Sequence, residues 1–393
     1  MKREVIGYSK MESELLDNEL ASSPFFFASP NNTMLGKGIE MECHQPIAFS
    51  ALADKANAML QDAKKSESDN PVLFGIVPFN EKNPTKFIIP EQLFVSSSTR
   101  ALRQNALTPA NARVISSPSG HHYKQGVSDL INLFAHTELA KVVLSRTIDV
   151  ATDTDIQQQT LLRNLLSINA KGYTFAANIS AEQKLMGASP ELLVAKKGSH
   201  LISNPLAGSR PRSDSDEQNQ HAINSLLNTS KDLHEHGLVV EEIERIMSKY
   251  CYNLYTPMVP SVIETNTMLH LSTVLEGQVN DPAINVLKVA AELHPTPAVC
   301  GYPREKAYEA ISKLEQFDRG YFTGMVGWCD SRGNGEWVVT IRCAEVQKRQ
   351  IKVFAGAGIV NGSHPQSELD ETGAKMGTIL TAAGIQLNDL LTA

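Results

Sequence analysis

GEWVVTIRCAEVQKRQIKVFAGAGI, residues 335–359, decides the fold class. Apolar side chains recur at every second position on both sides of the polar Lys348-Arg349-Gln350, which predicts two strands joined as a hairpin. In the first strand Trp337, Val339, Ile341 and Cys343 share one face, and Thr340 and Arg342 fall on the other. Upstream, AKVVLSRTIDVA (140–151) alternates in the same way, strand-like runs continue to Leu206, and NPVLFGIVPFN (70–80) and residues 86–90 read as short buried strands. Between them residues 127–139 and 156–169 have helical periodicity. Hairpins mixed with helices predict an α+β fold with a largely antiparallel sheet, not a doubly wound one. The polar, Ser- and Pro-rich 95–122 region reads as a surface connection and a weak boundary between a first part, 1–120, and a core, 121–385.

Composition bounds the class. The chain has 393 residues, 42% hydrophobic and 20% charged, enough to bury a large core. A net charge of -7 and the absence of Lys/Arg runs exclude a nucleic-acid footprint. The first twenty residues lack the apolar stretch of a signal peptide, and no run approaches about 18 apolar residues, so a cytoplasmic location is expected, away from membranes. Five cysteines, with no C-x-x-C spacing, fit reduced thiols.

Two acidic pairs stand out. In residues 221–250 a helical wheel places Asp232 and Glu235 on the apolar stripe of Val239, Ile243 and Ile246, while Glu241, Glu244 and Arg245 point away. Buried carboxylates need a counter-charge, which a basic side chain or a divalent cation supplies. In SELDETGAK (367–375) Glu368 and Glu371 repeat the spacing, with Ser367 expected as N-cap, Gly384 as the stop and a stripe of Leu369, Gly373, Met376, Leu380 and Ala383. Both acids project away from that stripe, so this pair alone reads as a solvated face. Two such pairs on separate helices are nonetheless an arrangement for a hard cation, and oxygen donors point to Mg²⁺ rather than zinc. His234-Glu235-His236 fails as a zinc site, because residues two apart lie on opposite sides of a helix.

Other polar residues are ambiguous by themselves. Arg342, in mid-strand, suits a structural ion pair or a substrate carboxylate. Lys141, at the start of its strand, reads as a solvated strand-end lysine, and Glu191, after Pro190, as an exposed turn acid or a catalytic one. The Ala207-Gly208-Ser209 and Ala355-Gly356-Ala357-Gly358 segments would let backbone N–H groups approach an anion.

Taken in order, KVVLSR (141–146), GASPELL (187–193), PLAGSR (205–210), KDLHEH (231–236), HPTPAVCG (294–301), FDRGYFTGMVGW (317–328), TIRCA (340–344), FAGAGIV (354–360) and SELDETGAK resemble the chorismate-utilising enzymes, most of all their isochorismate synthases of catecholate-siderophore synthesis. The N-terminal Phe25-Phe26-Phe27-Ala28-Ser29-Pro30 matches too; the rest of the first 120 residues matches loosely. The resemblance implies one large α+β domain over 1–393, in which two lobes pack their sheets together with helices outside and the site between them. It implies Mg²⁺-dependent substitution on chorismate, a nucleophile entering at C2 as the C4 hydroxyl leaves. By motif position Glu235 and Glu371 would bind the metal and Asp232 and Glu368 its waters; Lys141 would be the general base and Glu191 the general acid. Arg342, Gly208 and Gly356 would hold the substrate carboxylates, with Lys375 on the metal side, and Ser209, His294 and Ala298 would belong to the same binding group. Ala298 stands where members that go on to an aromatic product tend to carry a hydroxyl. Lys141 favours water over ammonia, so no glutamine amidotransferase subunit is expected, and a monomer is. A salicylate-forming lyase, a menaquinone-pathway synthase and a non-catalytic binding protein remain alternatives.

Overall fold

Phe25, Phe26 and Phe27 are each 1% exposed, a burial that consecutive strand residues reach only when both faces of their sheet are covered. The computed structural model describes residues 2–5, 23–66, 69–97, 112–116 and 119–385. In it the Phe25–Ala28 strand lies inside an eleven-stranded sheet, which runs Lys2–Val5, Gln92–Ser97, Asn32–Lys37, Phe25–Ala28, Tyr173–Asn178, Lys184–Ser189, Cys343–Val346, Gln350–Val360, Lys141–Thr152 and Gly301–Tyr302. Ala112–Ser116 adds to the Lys141–Thr152 strand. Pairing is antiparallel except between Lys2–Val5 and Gln92–Ser97.

An eight-stranded antiparallel sheet faces it, in the order Leu275–Gln278, His200–Asn204, Leu192–Lys197, Gly335–Val339, Met325–Asp330, Val72–Val77, Pro84–Ile89 and Met41–Pro46. Phe25 and Phe27 point into the interface between the sheets, against Phe74, Val326 and Val338, and Phe25 stacks on Phe74 at 4.6 Å. Phe26 and Ala28 point the other way, toward helices Gln158–Ile168 and Pro365–Ala382 through Leu162, Leu165 and Met376. Helices Leu52–Asp62, Ser230–Met247 and Val286–Leu293 cover the outer face of the eight-stranded sheet. The predicted α+β architecture, two mainly antiparallel sheets with helices outside, is the one observed. Strands from the first 120 residues lie in both sheets beside strands from the rest of the chain. Among the described residues no helix is long and apolar enough to cross a membrane.

The 335–359 stretch forms its hairpin, but not as one continuous first strand. Gly335–Val339 belongs to the eight-stranded sheet and Cys343–Val346 to the eleven-stranded one. The single face predicted for Trp337, Val339, Ile341 and Cys343 is divided by the break: Trp337 and Val339 pack under the helices outside the eight-stranded sheet, while Val338 before the break and Cys343 after it face the intersheet core. Thr340, Ile341 and Arg342 carry the chain across, with Arg342 in the left-handed region at φ 49°, a conformation costing a non-glycine residue about 1–3 kcal/mol. A second crossing, Pro190-Glu191, leads from Lys184–Ser189 to Leu192–Lys197. Two backbone bonds join the crossings, Val339 N to Glu191 O at 3.2 Å and Ala188 N to Arg342 O at 3.0 Å.

Two helix readings change. Residues 221–250 are two helices, Asp216–Asn228 and Ser230–Met247. The last helix starts at Pro365 behind His364, so Ser367 is not its N-cap. It stops as expected at Gly384, φ 74°, where Ile385 N returns to Leu380 O at 2.8 Å.

Candidate active site

Sheet pairing ends at the two crossings, and a cleft opens there. Glu191, Gly208, Ser209, Glu235, Ala298, Arg342, Gly356, Glu371 and Lys375, all candidates from sequence, line it. Glu191 and Arg342 come from the crossings themselves. Gly208 sits in a bulge of the Leu206–Pro211 strand at φ 79°, which a side-chain-bearing residue adopts only with strain. Glu235 arrives on the buried face of Ser230–Met247 and Glu371 from the first turns of Pro365–Ala382.

Lys141 is not a solvated strand end. It is fully buried, with Nζ 3.0 Å from Glu235 Oε1 and no well-formed hydrogen bond, so it stands directly behind the carboxylate that lines the cleft. Glu235 Oε1 rests so close to Gly358 that a Cβ there would come within 2.0 Å of it. Asp232 and Glu368 are buried outside the lining residues: Arg210 Nη1 donates to Asp232 at 3.1 Å, and Lys231 Nζ to Glu368 at 2.9 Å. The burial of Glu368 corrects the solvated-face reading. His294 is also a correction. Its ring lies outside the cleft lining, bonded through Nε2 to Pro78 O at 3.0 Å and edge-on to Phe49. It holds the segment that carries Ala298.

His270 is a lining residue that the sequence reading missed. Arg342 Nη2 lies 3.1 Å from its Nε2, and Ser209 Oγ lies 2.8 Å from its Nδ1. A guanidinium only donates, so Nε2 must be the acceptor and Nδ1 carries the proton to Ser209 Oγ. The Ser209 hydroxyl keeps its own proton to donate elsewhere. The available signal was MLHLS, where His270 and Ser272 share a face opposite the buried Leu269 and Leu271.

Electrostatics divide the residues by role. Burial raises the Glu191 carboxyl to about 8, against a Leu206 backbone bond and the charges of Lys141, Lys375 and Arg342. It is therefore a proton-bearing acid at neutral pH. Burial also pushes Glu235 up, but Lys141, Lys375 and Lys231 outweigh it and hold the group ionised below its ordinary value. Burial, followed by Arg342 and Lys375, keeps His270 neutral, far below the usual histidine range. Arg342 falls to about 10 through burial and stays charged.

A buried acid, an arginine fork and one acid from each pair line one cleft, with a buried lysine directly behind it. The chorismate binding enzyme family matches residues 86–384. The chain belongs to the chorismate-binding enzymes. It is 67% identical to the vibriobactin-specific isochorismate synthase of Vibrio cholerae, over all of both chains. It is 42% identical to isochorismate synthase DhbC of Bacillus subtilis, over 96% of this chain and 98% of that one. The crystal structure of DhbC from Bacillus anthracis, named as 2,3-dihydroxybenzoate-specific, superposes with a TM-score of 0.89 at 42% identity, covering 95% of this chain and 99% of that one.

Among the described residues no three acids, histidines or cysteines converge as a ready-made metal cluster, since each acid of the two pairs is held by a cation. The donor chemistry of this chorismate-binding enzyme still fits a hard divalent ion. Glu235 and Glu371 offer carboxylate oxygens to the same cleft from facing helices, and Gly358 leaves the space in which Glu235 lies.

Proposed function

We propose that this chain is an isochorismate synthase, interconverting chorismate and isochorismate by adding water at C2 as the C4 hydroxyl leaves. The observation that carries the reading is Glu191, a carboxyl kept protonated near pH 7 by its burial, facing the cleft that Arg342, Gly356 and Lys375 line with anion-binding groups. Leaving hydroxide needs a proton, and Glu191 holds one. Lys141 takes the proton from the attacking water, so the two residues exchange roles in reverse. To act, Lys141 must be released by Glu235, its partner at 3.0 Å. Arg342 and the Gly208 and Gly356 backbones orient the substrate carboxylates, with Ser209 as an added donor and Lys375, whose Nζ donates to Gly356 O at 2.8 Å, serving the metal-side carboxylate.

Mg²⁺ is the expected cofactor: held by Glu235 and Glu371, with Asp232 and Glu368 behind, it would supply Lewis-acid polarisation and a template for the ring carboxylate. The chain would act as one catalytic unit without an amidotransferase subunit, as a cytoplasmic monomer. The names of its relatives, vibriobactin-specific and 2,3-dihydroxybenzoate-specific, favour siderophore synthesis. Incubating purified protein with chorismate and Mg²⁺ and separating products by chromatography tests the activity; isochorismate in equilibrium with chorismate is expected. No conversion, or pyruvate and salicylate in stoichiometric yield, overturns it. Induction of the gene by iron starvation tests the pathway.

A further inference from the structure

The FDRGYFTGMVGW segment carries an arginine that the reaction above leaves without a role. Arg319 is 3% exposed and lies outside the cleft, stacked over the Phe79 ring at 4.4 Å. A guanidinium has five N–H donors. All five are placed: Nε to Glu315 Oε2 at 2.8 Å, Nη2 to Glu315 Oε1 at 2.5 Å and Val143 O at 2.7 Å, and Nη1 to Val299 O at 2.8 Å and Thr323 Oγ1 at 3.1 Å. Glu315 Oε1 also accepts from Ser145 N at 2.8 Å.

These bonds fill a gap in the sheet. One edge of the Lys141–Thr152 strand pairs throughout with Gln350–Val360. On its other edge Gly301–Tyr302 pairs with Lys141 and Val142, and Ala112–Ser116 with residues from Asp149 onward. Between them the N–H of Ser145 and the carbonyl of Val143 find, in place of a strand, the Glu315 carboxylate as acceptor and the Arg319 guanidinium as donor. The same guanidinium holds Val299, next to Ala298, and Thr323, which adopts φ 58°. Val143, Val299 and Thr323 all line the cleft.

We infer that the Glu315–Arg319 pair is a positioning device for the reaction: it substitutes for a missing strand and fixes the strand that begins with Lys141 against the Ala298–Val299 wall. The inference rests on the isochorismate synthase reading, which wild-type turnover in the same assay tests separately. Lysine has three donors and no fork, so Arg319→Lys cannot hold three wall segments and the carboxylate together. Measured on folded protein well below its unfolding temperature, Arg319→Lys is expected to raise the chorismate KM at least about 3-fold and to lower kcat at least about 10-fold, a misplacement effect. A smaller folded fraction alone lowers apparent kcat and leaves KM unchanged. Glu315→Asp is the companion variant, because it keeps the charge but is one methylene too short to reach both Arg319 and Ser145; it is expected to shift KM in the same direction. KM values within 2-fold of wild type in either folded variant overturn the inference. Should Arg319→Lys fail to fold, Glu315→Asp decides alone.

Discussion

Helices Ser230–Met247 and Pro365–Ala382 carry the same D/E-x-x-E spacing and use it alike, yet only the first announces it in its sequence. In each, one acid lines the cleft beside a lysine, Glu235 with Lys141 and Glu371 with Lys375, and the other is buried outside the lining against a base, Asp232 with Arg210 and Glu368 with Lys231. The first helix buries one stripe, so acids on that stripe are conspicuous. The second is buried over most of its circumference, Thr372, Gly373, Met376, Gly377, Ile379 and Leu380 included, with only a narrow exposed strip at Gln366, Ser367, Asp370 and Thr381, so acids off the apolar stripe are not thereby solvated. The outer acids are alike electrostatically: burial raises both Asp232 and Glu368, the latter with help from Glu371, whereas at Glu235 burial is outweighed by lysines that hold it below its ordinary value.

If inner acids bind the cation and outer acids only support it, their variants separate widely. Stripping divalent ions with EDTA is expected to abolish turnover and Mg²⁺ to restore it; full activity in stripped protein breaks the scheme. Glu371→Ala is expected to lose at least about 10³-fold in kcat/KM, the scale of several kcal/mol of Lewis-acid stabilisation. Asp232→Asn and Glu368→Gln are expected to lose about 10–100-fold, as outer partners do. Equal losses in both classes would erase the distinction. Glu235 is the less clean target, because removing it leaves buried Lys141 without a partner, a defect worth about 3–5 kcal/mol of stability.

Next in size come the two groups that move protons. Lys141→Ala and Glu191→Ala are each expected to lower kcat at least about 10²-fold in both directions. A Lys141→Ala enzyme near wild-type rate would show the base to be elsewhere. Because burial holds Glu191 at about 8, activity in the chorismate-to-isochorismate direction is expected below that pH and to fall as pH rises through it. The same shift is a stability statement. The folded chain holds this proton more tightly than the unfolded one, so its contribution is complete below the ordinary glutamate value and is lost as pH climbs through about 8. Thermal unfolding of Glu191→Gln between pH 5 and 9 should lack that share of the decline; an unchanged profile would remove Glu191 as its source.

The sequence made the sheets legible, since the buried apolar run in residues 70–80 and the alternating stretches in 140–151 and 335–359 fall in strands. It did not show that Gly335–Val339 and Cys343–Val346 lie in different sheets, because both faces of each strand are covered by apolar cores, so the apolar run at 337, 339, 341 and 343 keeps one period although its members serve different cores. That omission hid the site: Arg342 looked like a mid-strand residue and Glu191 like a turn acid, and both stand where chain crossings interrupt the ladders. Residue identities came from the family resemblance, which also brought in His294, a histidine whose motif position is right but whose ring turns to Pro78. Lys141 shows the reverse case. Nothing local distinguishes a lysine at a strand start from a solvated one; Glu235, far along the chain, is what makes its burial tolerable.

The smallest expected effect concerns the apolar side of the cleft, which neither acidic helix supplies. Ala298 lines it together with Val299, Phe322 and Ile341, and its methyl offers no hydrogen bond to the enolpyruvyl ether of isochorismate. Pyruvate leaves that ether only if the side chain is held in a pose suited to elimination, and a hydroxyl in this wall would supply the orienting contact. Ala298→Thr is therefore expected to raise the pyruvate formed per isochorismate, a product ratio that does not depend on the fraction of folded enzyme. Coupled lactate dehydrogenase reads pyruvate, and fluorescence reads salicylate. The Val299 carbonyl, fixed 2.8 Å from Arg319, keeps the neighbouring backbone in place, so the change tests the side chain rather than a loosened wall. An unchanged ratio in a variant that still binds chorismate with wild-type KM would leave Ala298 as packing only, and would put the control of elimination back among the charged groups on the opposite side.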